Sequence, residues 1–266
     1  PTCSMARVRQ LTMAPSVSPA FGGAGFGPAG PYEVLKGTAT GELDPSDSLN
    51  SGIVNLDRAP RNGRGFVEYR VNVTILKPVD VSMGNRRMFY EIANRGSKLA
   101  NFWVNSGELG EPSWGAGDDL GTAFLMNEGY TVVWSGWQGD AAYGIYAQLP
   151  VATDDGRPIV GISRDEYTDT GTGSTFTKTL AYPAANRDVG EASLTVRQTE
   201  TDARVPLAGW QYNSEGTQIT ITRPPGYDSG AIYEFIYPAR NPTVMGIGFA
   251  AIRDVVSHLR YEMADE

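Results

Sequence analysis

The sequence predicts a mixed α/β fold that begins with antiparallel strands and carries a β-rich insertion. Apolar and polar residues alternate strictly from Val67 to Ile75, as expected of a strand with one buried and one solvated face. Two short apolar runs, at 88–93 and 130–134, have the composition of strands covered on both faces. A helix predicted between these runs makes a strand–helix–strand unit, which requires a parallel sheet.

The N-terminal part of the chain, residues 1–84, is predicted to be an antiparallel β region. Residues 6–13 indicate a first strand and residues 32–43 a second, with a Gly/Pro/Ser-rich loop at 15–31 between them. The alternating strand at 66–76 follows. Strands with only one buried face are typical of antiparallel sheets, which can leave the other face to water.

Residues 85–145 are predicted to form the first part of the α/β core. The apolar run MFYEIA ends at an Asn-Arg-Gly loop, and either Asp118 or Asp119 is suited to cap a helix that runs to about Asn127. Gly129 is placed to end this helix, and the run YTVVW then provides the next buried strand.

Two further regions complete the predicted organisation. Residues 146–230 return to short strands and turns, which is typical of a β-rich insertion or lid-like subdomain. Residues 231–266 are predicted to resume the core with an apolar strand at 232–237 and a long helix that starts at Asn241-Pro242. Apolar residues cover a wide arc of that helix, and Gly246 and Gly248 would let it approach a sheet closely.

The composition excludes several classes of protein. A net charge of -8 without a basic cluster disfavours nucleic acid and anionic membranes as partners, and the chain has no apolar run long enough to span a membrane. One cysteine, Cys3, and one histidine, His258, are too few for a usual zinc site, so no metal or other cofactor is predicted. The chain begins at Pro1 without an apolar leader, as expected after removal of a signal peptide or after trimming. The first alternative implies a secreted or periplasmic protein.

Two glycine motifs match dinucleotide-binding fingerprints but occur in the wrong context. The motif at 25–30 leads into a strand, and the motif at 246–251 falls inside the last predicted helix. Turn and packing roles are therefore expected for these glycines. A nucleotide-dependent enzyme is the weakest of the functional hypotheses.

Candidates for a catalytic serine and histidine are poor. A nucleophile elbow needs Gly-x-Ser-x-Gly at a strand-to-helix turn, and no serine in the chain has both glycines. Ser163 comes closest, but Asp165 replaces the second glycine and no helix is predicted to follow. His258 lies near the end of the last predicted helix, where a structural role or an interaction with the helix dipole is expected.

Aromatic residues cluster in the segment from Trp134 to Asp140, at the C-terminal end of a predicted parallel strand. Open α/β sheets bind ligands at that end of their strands. The segment therefore predicts either a ligand site or, equally, core aromatics followed by a turn.

Several blocks of the chain, in order, resemble a bacterial family of α/β-hydrolase-domain proteins whose members are usually assigned as esterases or lipases. The blocks are YEVLKGTATGELDPSDSLNSGIVNLDRAPRN, VEYRVNVTILKPVD, FYEIANRG, FLMNEGYTVVWSGWQGD and GAIYEFIYPARNPTVMGIGFAAIRDVVSHLRY. The resemblance implies the N-terminal portion of an α/β-hydrolase-like mixed sheet. Members of the family continue past the last block into a serine elbow, an acid and a histidine, so the resemblance places the whole triad beyond Glu266.

The resemblance also implies what this chain contributes to a serine carboxylic-ester hydrolase that works through an acyl-enzyme. Backbone amides of Asn94, Arg95 and Gly96 are expected at the oxyanion hole, although this loop is not the usual His-Gly-Gly-Gly. Trp137, Gln138 and Tyr237 are expected to bind or support the substrate, from their positions at strand ends. The expected partners are an ester and the remainder of the same hydrolase, in one chain or as a second one.

A rival hypothesis is a non-catalytic, β-rich binding or structural module on a degenerate hydrolase scaffold. This module would fold by itself as a stable monomer. Half of a parallel sheet would instead expose a hydrophobic edge and uncovered helix faces.

Overall fold

A computed structural model describes residues 8–227 and 229–262 of the chain. Cys3 and part of the first predicted strand lie outside these described residues. The chain divides into two compact units: unit 1 comprises Pro1–Pro150 with Thr243–Glu266, and unit 2 comprises Val151–Pro242. No helix within the described ranges is long and apolar enough to cross a membrane.

Unit 1 is built on a seven-stranded sheet with the central order β1-β3-β4-β6-β5, in which β2 also pairs with β3 and β7 with β4. The strands are β1 Val8–Val17, β2 Gly25–Phe26, β3 Gly30–Leu43, β4 Val67–Pro78, β5 Met88–Ile92, β6 Thr131–Ser135 and β7 Ala147–Gln148. All pairs in this sheet are antiparallel except β5–β6, which is parallel, as predicted. The predicted strands at 32–43 and 66–76 are confirmed and pair in continuous register from Tyr32↔Pro78 to Leu43↔Val67.

Three α-helices occur in the described part of the chain, all in unit 1: α1 Ala100–Asn105, α2 Phe124–Asn127 and α3 Ile247–Tyr261. α2 is a single turn, which differs from the predicted helix that starts at Asp118 or Asp119. Gly121 and Ala123 have φ angles of 54° and 49°, and these left-handed residues break the helix. Asn241 has a φ angle of 60°, so α3 starts later than the Asn-Pro pair indicates.

Elements of unit 1 pack against both faces of its sheet. One face packs into a core that contains Tyr32, Val34, Leu76 and Trp134. The Tyr32 hydroxyl donates to the carbonyl oxygens of Met126 and Tyr130, at 3.1 and 3.0 Å. α3 packs against β1, β3 and β4.

Unit 2 contains a four-stranded sheet of order β10-β16-β12-β13, a three-stranded sheet of order β11-β15-β14 and a β8–β9 hairpin. The strands are β8 Thr153–Asp154, β9 Arg157–Pro158, β10 Val160–Thr168, β11 Thr175–Thr179, β12 Ser193–Arg197, β13 Val205–Pro206, β14 Trp210–Tyr212, β15 Gln218–Thr222 and β16 Ile232–Arg240. Both sheets contribute to one aromatic core that includes Phe176, Ile219, Tyr233, Phe235 and Tyr237.

The predicted α/β-hydrolase-like mixed sheet is therefore wrong. The chain has 38% strand and 17% helix, distributed over several separate sheets, which makes it a β protein. The main error concerns the apolar run at 232–237, which was predicted to lie in the core that holds β5 and β6. It lies in β16, which pairs antiparallel with β10 and β12 in unit 2.

The pattern within β16 explains this error. Tyr233, Phe235 and Tyr237 point into the aromatic core, while Glu234 on the other face is covered by Arg164 and Arg204. The two arginines leave the Glu234 side chain only 8% exposed. A strand of this kind resembles a strand of a parallel sheet when it is judged by its apolar composition alone.

Candidate functional site

The parallel strands β5 and β6 send the loops that follow them to the same edge of the sheet in unit 1. The loop after β5 contains Asn94, Arg95 and Gly96, and the loop after β6 contains Trp137 and Gln138. Hydrogen bonds and an ion pair connect these two loops. We refer to residues 93–97 and 136–140 together as the β5/β6 corner.

Asn94 to Ser97 form a tight turn at this corner. The Ser97 amide donates to the Asn94 carbonyl at 2.9 Å, and the Asn94 amide donates to the Ser97 carbonyl at 3.1 Å. The central residues Arg95 and Gly96 have φ angles of 53° and 91°, which are typical of a type I′ turn. A Cβ atom on Gly96 would lie 2.0 Å from the Tyr143 carbonyl oxygen, so only glycine fits this buried position.

The second loop holds this turn in place. The Gln138 Oε1 atom accepts from the Arg95 amide at 2.8 Å, and the Trp137 Nε1 atom donates to the Ala93 carbonyl at 2.7 Å. Arg95 Nη1 also donates to Asp140 Oδ2 at 2.8 Å. Both ends of that ion pair are about half exposed, so it adds little to stability. The hydrogen bonds from the Arg95 amide and from Trp137 Nε1 connect the two loops directly.

Of the three backbone amides predicted for the oxyanion hole, two already donate hydrogen bonds within the corner. The amides of Asn94 and Arg95 already donate to Ser97 and Gln138. Among the described residues, no acceptor takes the amide of Gly96. Gly96 is therefore the uncommitted backbone donor of the three residues that the sequence singled out.

Trp137 forms an aromatic surface beside the turn. Its ring lies 5.6 Å from the ring of Phe249 in α3, and Phe249 is 69% exposed. A Cβ on Gly248 would lie 2.0 Å from the Trp137 carbonyl oxygen, so the first turn of α3 approaches this loop closely. Gly248 therefore permits close packing against this loop, whereas the prediction was a close approach to a sheet.

Glu91 in β5 supports the corner, although it was not among the residues predicted for the site. Its carboxylate accepts from the amides of Leu99 and Ala100, at 2.6 and 2.7 Å, and from Trp134 Nε1. These bonds attach the start of α1 to the sheet. The sequence contains a signal for this role, since Glu91 is the single acidic residue in the otherwise apolar run MFYEIA. A carboxylate in such a run needs several hydrogen-bond donors.

Tyr237 has a different environment from Trp137 and Gln138. It belongs to unit 2, is fully buried, and stacks on Phe235 with ring centroids 4.9 Å apart. Its hydroxyl donates to the Tyr182 carbonyl at 2.8 Å, and burial raises the pKa of Tyr237 to about 12. This geometry favours a structural role within unit 2.

The described residues contain no hydrogen bond between a serine and a histidine. Ser163 lies in β10, not at a strand-to-helix turn, and its Oγ donates to Asp165 Oδ1 at 2.8 Å. His258 is half-buried in the last turn of α3, as expected for a residue near the helix end.

Neither glycine motif forms a phosphate cradle. The motif at 25–30 spans β2 and the entry to β3, as predicted. The second motif lies at the start of α3 rather than inside it, but the amides of Ile247, Gly248 and Phe249 already donate to carbonyl oxygens of residues 244–246. No group of three or more His, Cys, Asp or Glu side chains in the described ranges is arranged to hold a metal ion.

Comparisons with known protein families, with curated proteins and with solved structures gave no match for this chain.

Proposed function

We propose that this chain is the substrate-binding part of a carboxylic-ester hydrolase whose serine, histidine and acid come from polypeptide outside residues 1–266. The observation that supports the proposal most strongly is the β5/β6 corner. There the only parallel strand pair among the described residues brings an uncommitted backbone amide, Gly96, to the same sheet edge as Trp137. The C-terminal ends of parallel strands are a frequent position for ligand sites.

In this proposal each part of the corner has a separate role. The Gly96 amide donates to the carbonyl oxygen of the ester as negative charge develops on it. One such donor stabilises a transition state by roughly 2.7–4 kcal/mol. Trp137 and Phe249 form an apolar wall for the acyl or alcohol group, and Gln138 keeps Arg95 and the turn in the orientation that presents Gly96.

A serine-directed fluorophosphonate probe tests the proposal. We expect no labelling of the 1–266 chain, and labelling when the chain is isolated from its natural source with all the polypeptide that accompanies it. Ser163→Ala in the 1–266 chain is the control for adventitious reaction at Ser163. An absence of labelling in the naturally sourced protein would exclude the hydrolase.

A second candidate is a non-catalytic binding module. It is favoured by the absence of a serine–histidine pair among the described residues and by the internal pairing of Asn94 and Arg95 at the corner. This candidate requires the 1–266 chain to be a soluble monomer that unfolds cooperatively and binds esters without turnover. Analytical ultracentrifugation with thermal unfolding distinguishes it from a chain that associates through unsatisfied surfaces.

A further inference from the structure

An open groove of about 410 Å³ lies in unit 2. The last strand of the four-stranded sheet, β13, lines it through Pro206, and the last strand of the three-stranded sheet, β14, lines it through Trp210. The volume lies within the range of roughly 300–1,000 Å³ that is usual for ligand pockets. The groove is therefore large enough for a small ligand of two or three rings.

The floor of this groove is part of the core of unit 2. Leu194 is buried in that core, and Ala192, Leu207 and Trp210 are half-buried and pack against it. Val189 also lines the groove and is 58% exposed. Water thus contacts apolar surface here that a bound ligand would cover, and covering such surface favours binding.

Trp210 belongs to an array of aromatic rings that meet edge to face. Its ring centroid lies 4.8 Å from that of Phe235 and 5.2 Å from that of Tyr212, with interplanar angles of 73° and 85°. Aromatic pairs in this geometry attract each other more than the burial of their area accounts for. A ligand ring placed beside Trp210 would extend the array, which favours an aromatic ligand over an aliphatic one.

Two polar side-chain groups belong to the residues that line the groove, Ser193 Oγ and Trp210 Nε1. Within the described part of the chain, neither group forms a hydrogen bond with another protein group. A serine hydroxyl can donate or accept, and an indole N–H can only donate. Ser193 can therefore bond with a hydroxyl, amine or carbonyl group of a ligand.

The charges around the groove favour a neutral ligand. None of its lining residues is charged. The acids Asp188 and Glu191 directly precede the lining residues Val189 and Ala192, whereas Arg204 is already paired with Glu234. An anionic group in the groove would lose water without gaining an opposite charge.

We propose that this groove binds a neutral aromatic molecule of two or three rings, whose polar group forms a hydrogen bond with Ser193 Oγ. The groove belongs wholly to unit 2 and shares no residue with the β5/β6 corner. The proposal requires no nucleophile and no turnover, so it does not depend on the hydrolase proposal.

Two fluorescent probes with the same rings test the proposal on the 1–266 chain. N-phenyl-1-naphthylamine is neutral, and 8-anilinonaphthalene-1-sulfonate is an anion. We expect a saturable rise in fluorescence with the neutral probe and binding of the sulfonate that is at least about tenfold weaker, because the groove offers the anion no partner.

Variants locate the binding site of the neutral probe. Ala208→Phe places a large side chain in the groove from an exposed lining position and should weaken binding by at least about tenfold through steric exclusion. The matched control is Ala203→Phe, at an exposed alanine that does not line the groove, which should leave binding unchanged.

Ser193→Ala keeps the test decisive if Ala208→Phe fails to fold. Loss of one hydrogen bond from this exposed residue should weaken binding of the neutral probe by about twofold to tenfold. Three results would each overturn the proposal: no saturable rise with the neutral probe, binding of the sulfonate at least as tight as that of the neutral probe, or unchanged binding by either Ser193→Ala or a folded Ala208→Phe variant.

Discussion

The Tyr69 hydroxyl of β4 donates a 2.8 Å hydrogen bond to Oδ2 of Asp254, a fully buried carboxylate in the middle of α3. Arg253 Nε donates to the other carboxylate oxygen at 2.7 Å. Burial and the charge of Asp254 raise the pKa of Tyr69 far above its ordinary value, so the phenol remains a donor. Gly41 lies opposite Tyr69 on β3, and a Cβ there would lie 2.2 Å from the ring. These residues attach α3 to the sheet of unit 1.

We predict that Tyr69→Phe lowers the free energy of unfolding by about 1–3 kcal/mol, because it leaves the buried Asp254 carboxylate without its tyrosine donor. Urea unfolding followed by circular dichroism measures the change. Tyr143→Phe is the matched control, since Tyr143 is 65% exposed. If the two variants have equal stability, the hydrogen bond does not anchor α3.

A second prediction concerns Gly96 in the turn at the β5/β6 corner, with Gly65 as the control. Gly65→Ala should cost about 1–2 kcal/mol, because Gly65 has a φ angle of 85° but no heavy atom within 4 Å of the position that a Cβ would take. Gly96→Ala should cost clearly more, since its φ angle of 91° is combined with a Cβ position only 2.0 Å from the Tyr143 carbonyl oxygen. Denaturant unfolding measures the loss in free energy of unfolding for each variant. The difference between the two losses is due to the contact with the Tyr143 carbonyl oxygen. Equal losses would show that Gly96 is not packed against Tyr143.

Gln138→Ala should release the Arg95 amide from its side-chain acceptor. We expect hydrogen exchange at Arg95 to become faster by about tenfold, while the free energy of unfolding falls by only about 0.5–1.5 kcal/mol. Gln148→Ala, at an exposed position in β7, is the control. Unchanged exchange at Arg95 would mean that Gln138 does not hold the turn in solution.

A further prediction concerns the ion pair between Glu33 and Lys77 and the pH dependence of the free energy of unfolding. The hydrogen bond from Lys77, at 2.5 Å, lowers the pKa of Glu33, and Ser18 also donates to its carboxylate. A folded-state pKa below the unfolded value adds stability above the ordinary glutamate pKa of about 4.3, and this stability is lost as the pH falls through the folded-state pKa. Glu33→Gln should therefore lose less stability than the wild type between pH 7 and about pH 3.

Urea unfolding at the two pH values measures this difference. Glu128→Gln is the control, because Glu128 is exposed and ends the short helix α2. A wild-type protein that loses no more stability on acidification than Glu33→Gln would show that the ion pair does not stabilise the fold.

The elements that could be predicted best from the sequence are strands whose own residue pattern determines which face is buried. The alternation along β4 leaves a single choice of buried face, so its position and its antiparallel neighbour β3 could be predicted. The two short apolar runs also predicted the parallel pair β5–β6, and with it the meeting of Gly96 and Trp137 at one edge.

The elements that the sequence could not predict depend on long-range pairing. The apolar run in β16 does not reveal that its partners are β10 and β12, nor that arginines cover Glu234. The burial of Tyr237 within unit 2 follows from the same pairing. Lys98 has no local signal either, because its buried ammonium group donates to Glu111, which lies 13 residues further along the chain.

The hydrolase proposal is tested most directly by identifying the serine that reacts with a fluorophosphonate in the protein expressed in its natural source. Peptide mass spectrometry can map that serine. We expect one labelled serine, outside residues 1–266, with labelling reduced by Gln138→Ala and unaffected by Ser163→Ala. A labelled serine within residues 1–266, or no labelled serine at all, would refute the assignment of this chain as the substrate-binding part of an ester hydrolase.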